Sequence, residues 1–497
     1  MARPQPSDSR RWCFADQLGP HFLDHPDQPV LLIESRAVFE RRRFHRRKAH
    51  LVLSALRHRA AELGGQAVFL QTRTYREALS QVRDNLSVCQ PTSWAALRFV
   101  EAQPAITVLP ARGFATDRET FEQWAQSQRA FLLENFYRDA RRRFDILMDG
   151  NRPTGSRWNF DEENRLPPPK DSARLDVPPP WIPEEDEIDE QLRDDLDRWE
   201  RDGTVAFVGR DGPREFAVTR DEAAASFETF LQHRLPEFGP YEDAMLATDR
   251  WMSHSGLSVS MNLGLLDPLE CAYAAEDAYR RGAAPLNSVE GYIRQLIGWR
   301  DYIWHAYWHF GEEYRFENKL NARAELPEWF AGLDADAVQA RCLRDVLAGV
   351  RDHGWVHHIP RLMVLSNYAL QHGWQPAAVA DWFHRCFADG YDWVMTGNVI
   401  GMSQHADGGL MSTKPYAAGG AYLNRMSDYC GPCRYRPTAR LGSAACPFTT
   451  GYWAFLHRNH DTLAANPRMA RSLKGMARLK DLGDVVVAHQ ELGDNPP

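Results

Sequence analysis

The chain has 497 residues, 43% hydrophobic and 25% charged, a balance that excludes wholesale disorder and predicts two or three domains. No window approaches the roughly eighteen consecutive apolar residues of a helical membrane span. The net charge of −8 does not exclude a nucleic-acid partner, because residues 184–203, with eleven acidic and three basic residues, hold the whole excess.

Residues 1–8 lack the apolar run of an export signal, and Asp16 interrupts the short apolar stretch after Arg10-Arg11. A cytoplasmic location is therefore expected. From 10 to 118, strand and helix signals alternate. Residues 29–34 are an apolar run ending on an acid, as in a buried parallel strand. Residues 45–63 repeat apolar side chains at helical spacing and stop at Gly64-Gly65. Residues 67–70, 95–100 and 106–109 read as further strands, so an α/β domain on a parallel sheet is predicted. Ligands of such sheets sit at the strands' carboxyl ends, which points to Asp16 and Glu34.

In the segment 119–235, Pro167-Pro168-Pro169 and Pro178-Pro179-Pro180 forbid continuous helix or sheet. A long, partly extended interdomain connector is expected there. Residues 236–497 carry helical periodicity with many Trp and Tyr, and 267–279, 290–310, 337–350 and 376–387 read as helices. The second domain is predicted to be all-α. Two basic clusters, residues 36–48 and Arg138, Arg141, Arg142 and Arg143, offer a face for phosphates.

Eight cysteines are too few for a disulfide scaffold, so their spacing is the informative part. Cys430-Gly-Pro-Cys433, followed after twelve intervening residues by Cys446-Pro447, places thiolates for a zinc ion, an iron–sulfur cluster or a redox thiol pair. A fourth ligand would come from Cys342, Cys386, Cys271, Cys89 or Cys13. Ser253, Ser255 and Ser258 stand at a helix start, where hydroxyls and free N–H groups hold phosphate. Arg361 and Asp389 are opposite charges in apolar helical contexts, which predicts a buried pair. His357 and His358 are adjacent and do not share a helical face, so joint metal ligation is not expected. One of them is a candidate proton donor.

Together, Ser255-Gly-Leu-Ser258, His357-His-Ile-Pro-Arg-Leu-Met363, Gly155-Ser-Arg-Trp-Asn-Phe-Asp-Glu-Glu-Asn164, Met402-Ser-Gln-His-Ala-Asp-Gly-Gly409, Thr413-Lys-Pro-Tyr416 and Asn424-Arg-Met-Ser-Asp-Tyr-Cys430 resemble the photolyase/cryptochrome superfamily. They are similar to its bacterial iron–sulfur branch, which includes prokaryotic (6-4) photolyases. The resemblance runs from about Asp16 to Trp453. It implies FAD in the helical domain, with His254, Ser255, Leu257 and Ser258 on the phosphate side and Arg361 and Asp389 beside the flavin ring. It implies a 4Fe–4S cluster on Cys342, Cys430, Cys433 and Cys446. A 6,7-dimethyl-8-ribityllumazine antenna is implied at Asp16, Gln17 and Glu34. The implied reaction is electron transfer from photoexcited reduced flavin to a flipped-out pyrimidine lesion in damaged DNA. His358, with His357 beside it, matches the proton donor, and Leu362 and Tyr416 would line the lesion pocket. A monomer is expected.

The chain departs from the family pattern at several positions. Met395 lies near flavin N5, where relatives often carry an acid. Trp382 matches the inner tryptophan of the photoreduction chain and Tyr422 is a candidate second member, but Asp334 stands where an intermediate tryptophan is expected. Trp329 is its nearest substitute. Pro360 precedes Arg361 in place of a polar residue, and Ala15 replaces an antenna-side glycine. Two competing functions follow: a cryptochrome-like photoreceptor with little repair, and a zinc-bearing nucleic-acid-binding protein without photochemistry.

Overall fold

The computed structural model describes residues 9–170 and 172–497. The export-signal expectation for residues 1–8 falls outside them. Strands β1 (Arg10–Cys13), β2 (Val30–Ser35), β3 (Ala67–Thr72), β4 (Leu86–Cys89) and β5 (Ile106–Leu109) form one parallel sheet in the order β3-β2-β1-β4-β5. Strand order reverses at β1, so the crevice beyond its carboxyl end is the ligand position of this topology. All of β2 is buried because both faces are covered. Val30 and Leu32 pack with Leu51 and Leu56, while Leu31 and Ile33 pack with Ala78 and Val100.

The 95–100 segment is not a strand but part of the helix Trp94–Glu101. Ser93 caps it by accepting from the Ala96 N–H, and its buried residues Leu97 and Val100 lie one turn apart. A short apolar run does not separate a period of 2 from one of 3.6. The strand beside it is β4, which, like β1, has only four residues and went unread. The helix Arg46–Leu63 forms as expected, with His45 as its cap.

The two charge runs of the sequence meet each other. Helix Glu187–Arg201 packs on helix Arg46–Leu63, where Arg46 pairs with Asp197 and with Glu200 at 2.9 Å. Arg57 bridges Asp195 and Glu34, and buried Arg214 holds Asp189 at 3.1 Å. Arg47 pairs with Glu215, and Lys48 is buried. Arg46, Arg47 and Lys48 are thereby consumed as an internal interface, whereas Arg41, Arg42 and Arg43 of the same cluster stay exposed. The prolines act as predicted: no helix or strand occurs between the turn Thr154–Ser156 and Glu187 among the described residues.

Residues 236–497 are helical among the described residues. Pro268–Arg280 starts on Asp267, which accepts from the N–H groups of Leu269 and Glu270. Leu286–Ile293 continues through π-helical Arg294–Arg300 into Asp301–Phe310. Arg341–His353 starts later than its apolar period suggested, because Asp334 caps a separate short turn, Ala335–Ala337. Two further π-helical segments, Pro360–Ser366 and Gly397–Ser403, interrupt the helical core. Such segments are frequent at functional sites, and the first carries Arg361 and Leu362. Trp304, Trp374, Trp382, Tyr302 and Tyr368 are fully buried in this domain. Among the described residues no helix is long and apolar enough to cross a membrane.

Candidate active site and cysteine cavity

Two predicted residues converge on the predicted carboxylate of Asp389. Asp389 is held bidentately by Arg361, at 2.8 and 3.1 Å, and accepts the Ser258 hydroxyl at 2.7 Å. Its backbone carbonyl accepts from the Asn262 amide at 3.0 Å. Burial alone would raise the Asp389 pKa, but Arg361 and Ser258 hold it below the ordinary value. The pair is ionic, and Arg361 leaves a guanidinium face over Phe387 at 4.3 Å. Ser255 and Leu257 lead into the five-residue helix Ser258–Asn262, with Leu257 buried.

Beside this pair stand three histidines. His357 lies just outside the helix that begins at His358, so the helical-face argument does not apply to it. One ring nitrogen each of His254, His357 and His358 lies within 4.8 Å of the other two. The His254 and His357 rings stack at 4.3 Å and 21°, however, so their in-plane lone pairs run nearly parallel rather than toward one ion. Burial is the main reason both stay neutral; after it, His358 presses His254 further down and His254 presses His357 further down. His254 Nε2 and His357 Nδ1 are buried without a partner. His358 is 47% exposed, with Nε2 3.9 Å from Asp243 Oδ1.

Glu242 and Asp243 were missed by the sequence reading, since a lone Glu-Asp pair carries no motif. Burial pushes Glu242 up to about 8 and Asp243 up to about 6, against the opposing fields of Arg294 and Arg165 respectively. Glu242 accepts from Gln295 at 2.7 Å. Between its ordinary pKa of 4.5 and about 8, the folded protein holds a proton that the unfolded chain releases. Stability therefore falls as pH rises through that window. Glu242→Gln is expected to remove that loss, on the order of 2–4 kcal/mol between pH 5 and 8, in urea titrations. Equal pH slopes in the two proteins would refute a protonated Glu242.

Trp382 and Met395 are buried in the same core as Leu362 and Tyr416. Trp382 Nε1 has no partner. Its ring meets Phe330 at 4.5 Å, and Phe330 meets Trp374 at 4.7 Å. Trp329 joins Trp374 at 6.3 Å. Trp374 is thus an aromatic link that the sequence reading missed. Among the described residues, Tyr422 shares no ring contact with Trp382 and has Arg425 beside it. From the first domain, Lys48 reaches across to the backbone carbonyls of His384 and Gly390, next to Asp389.

Cys342, Cys430, Cys433 and Cys446 line one enclosed cavity with Leu423, Tyr429 and Phe448. Cys342 enters at the start of helix Arg341–His353 and Cys446 caps Pro447–Arg458, two helix N-termini that favour anionic sulfur. Burial, then the other three sulfurs, push the Cys342 thiol well up, and Cys430 rises to about 12 for the same reasons. A Cβ at Gly420 would lie 2.8 Å from Cys446 Sγ, so only glycine fits beside it. Cys271 and Cys386 are buried and do not line this cavity.

At the sheet crevice, Asp16 Oδ2 accepts the Thr92 hydroxyl while Oδ1 is buried without a partner. Burial raises Asp16 to about 6. Gln17 donates to the carbonyl of Cys89 at 3.0 Å, and both Glu34 oxygens are taken by Arg57 at 2.8 Å.

A parallel five-stranded domain joined to a helical domain with a buried Ser–Asp–Arg cradle is the build of a flavin-binding photoreceptor or photorepair protein. The family described as deoxyribodipyrimidine photo-lyase-related protein matches residues 11–204. A (6-4) photolyase of Agrobacterium fabrum is 37% identical over 494 residues, covering 94% of this chain and 95% of that protein. The fold matches a bacterial class III photolyase from Agrobacterium tumefaciens with TM-score 0.56 and 14% identity, covering 99% of this chain and 98% of that one. It matches a Synechocystis sp. PCC6803 cryptochrome with TM-score 0.59 and 14% identity, over 99% and 100% of the two chains. The chain belongs to the photolyase/cryptochrome superfamily. Membership implies FAD, and the partnerless nitrogens of His254, His357 and Trp382 around the Arg361–Asp389 pair fit a polar, aromatic ligand.

Proposed function

We infer that this protein is a light-dependent DNA-repair flavoenzyme of the (6-4) type. The observation that carries the reading is the near full-length relation to a (6-4) photolyase, combined with a half-exposed histidine backed by a protonatable acid. The likeness to a cryptochrome is one of fold and carries no claim on activity. When bound, FAD supplies the light-driven electron. Arg361, fixed by Asp389, offers a cation to the ring. Burial and Arg361 push His358 down to about 4, so the proton it delivers at the pocket mouth is relayed from Asp243, which lies 3.9 Å away and is pushed up to about 6. Leu362 and Tyr416 form apolar and hydroxyl walls for an extruded lesion. The test is restoration of a (6-4) lesion in an oligonucleotide under blue light with reduced protein. No restoration in light, at stoichiometric enzyme, would overturn the reading.

The reading extends to the cysteine set as a 4Fe–4S site. Four cysteines lining one cavity, in a chain of this family branch, support a cluster. Cys430→Ala is expected to lose most bound iron and acid-labile sulfide in elemental analysis. Zinc at one equivalent in the unsubstituted protein, without iron, would refute the cluster. A 6,7-dimethyl-8-ribityllumazine antenna is proposed at the β1 crevice, with partnerless Asp16 Oδ1 as its polar contact beside Gln17. A monomer acting on damaged DNA in the cytoplasm completes the proposal.

A further inference from the structure

The second basic cluster of the sequence has a different fate from the first. Helices Arg118–Ser127 and Leu133–Phe144 enclose a cleft of about 570 Å³ lined by Arg138, Arg142, Arg143 and Asp139. Three guanidinium groups against one carboxylate leave the lining positive. Asp139 is engaged by Arg143 at 2.7 Å, and Arg138 pairs with Glu134 at 2.9 Å. Arg142 has no ion pair among the described residues and is exposed, its guanidinium 4.5 Å from the centre of the Trp158 ring. Arg141, by contrast, is buried and spent on the carbonyls of Ile146, Leu147 and Trp158.

The rest of the lining is hydroxyl and amide: Thr120, Ser127, Gln123, Gln128 and Asn135. Such groups donate to phosphate and sugar oxygens without reading sequence. The only aromatic side chain of the lining, Trp124, is buried and offers no stacking platform. That chemistry suits a backbone rather than a base.

The cleft is tied to the pocket mouth by chain. From Trp158, which Arg142 covers, seven residues lead to Arg165, at most about 25 Å when fully extended. Arg165 lies 3.9 Å from Asp243, which lies 3.9 Å from His358. At 3.4 Å rise per nucleotide, this places the cleft within roughly ten base pairs of the lesion pocket. We propose that the Arg138–Arg142 cleft is an accessory site for the phosphodiester backbone of duplex DNA flanking the lesion. The proposal rests on the DNA-repair reading for its partner.

The test uses the full-length protein with R138Q/R142Q and R138K/R142K variants, and binding to lesion-bearing duplexes measured by fluorescence anisotropy between 50 and 200 mM salt. One duplex extends about fifteen base pairs to each side of the lesion and the other about three. On the long duplex, losing two phosphate contacts is expected to make the salt slope shallower by about 1.8. The unsubstituted protein then loses roughly tenfold more affinity than the Gln variant across that salt range. The Lys variant keeps the steep slope, and the short duplex shows no difference. An unchanged slope in the Gln variant, or an equal loss on the short duplex, overturns the proposal. So does a Lys variant that melts like the unsubstituted protein yet behaves like the Gln variant. If the long duplex binds without preference for the lesion while the slope still falls, the repair reading fails and the cleft stands.

Discussion

His358→Ala is expected to lower light-driven repair of a (6-4) lesion by about 10²–10⁴-fold, the usual worth of a positioned proton donor. Binding of lesion DNA is expected to change far less. The ring is half exposed, sits within the histidine cluster 5.1 Å from His254, and has only Asp243 as an acidic neighbour. His358 is neutral like His357, pushed down to about 4 by burial and Arg361, but the partnerless His357 is enclosed and so is a weaker donor toward a ligand arriving from solvent. Quantum yields of repair for His358→Ala and His357→Ala, measured with fully reduced flavin, check the assignment. A His358→Ala protein repairing at the unsubstituted rate would sink it. Asp243→Asn should give an intermediate loss whose pH dependence differs from that of the parent, because the group titrating near 6 is gone.

Asp389→Asn is expected to destabilise the protein by about 3 kcal/mol in urea titrations and to lower flavin retention together with it. The substitution leaves Arg361 with half its pairing and Ser258 without its anionic acceptor. An unpaired, mostly buried guanidinium costs far more than an exposed pair returns. The pH sign is fixed by the lowered pKa of Asp389. Its contribution is present above the ordinary carboxylate value and is lost as pH falls through the folded value, below about 4. The difference between Asp389→Asn and parent should therefore shrink in acid. A difference that stays constant from pH 7 to pH 3 would show that the pair contributes packing rather than charge.

The site was legible where chemistry writes itself locally. Cys430-Gly-Pro-Cys433 announces thiolate chemistry at any distance from its partners, and the candidate fourth cysteine, Cys342, does line the same cavity. Arg361 and Asp389, twenty-eight residues apart, form the expected pair because isolated charges in apolar helices must find each other. Glu242, Asp243 and Trp374 were not legible, since their roles come from what lies around them. Glu242 becomes a proton-holding acid only because distant segments close over it and bury it, an effect that outweighs the field of Arg294.

The sequence by itself determined the two-part architecture and the proline-bound stretch before Glu187. Hydrophobic period, turn residues and proline act over a few residues and need no tertiary partner. It did not separate strand from helix at residues 95–100, where six residues, five of them apolar, suit both and only the Ser93 cap and burial of Leu97 and Val100 settle the matter. Nor did it tell which basic residues stay free. Within residues 36–48, Arg46 is spent on the acidic helix Glu187–Arg201 while Arg41 and Arg43 stay exposed, and within Arg138–Arg143, Arg141 is buried while Arg142 borders an open cleft. Charge is a property of a residue, whereas its availability depends on which distant segment the fold brings against it.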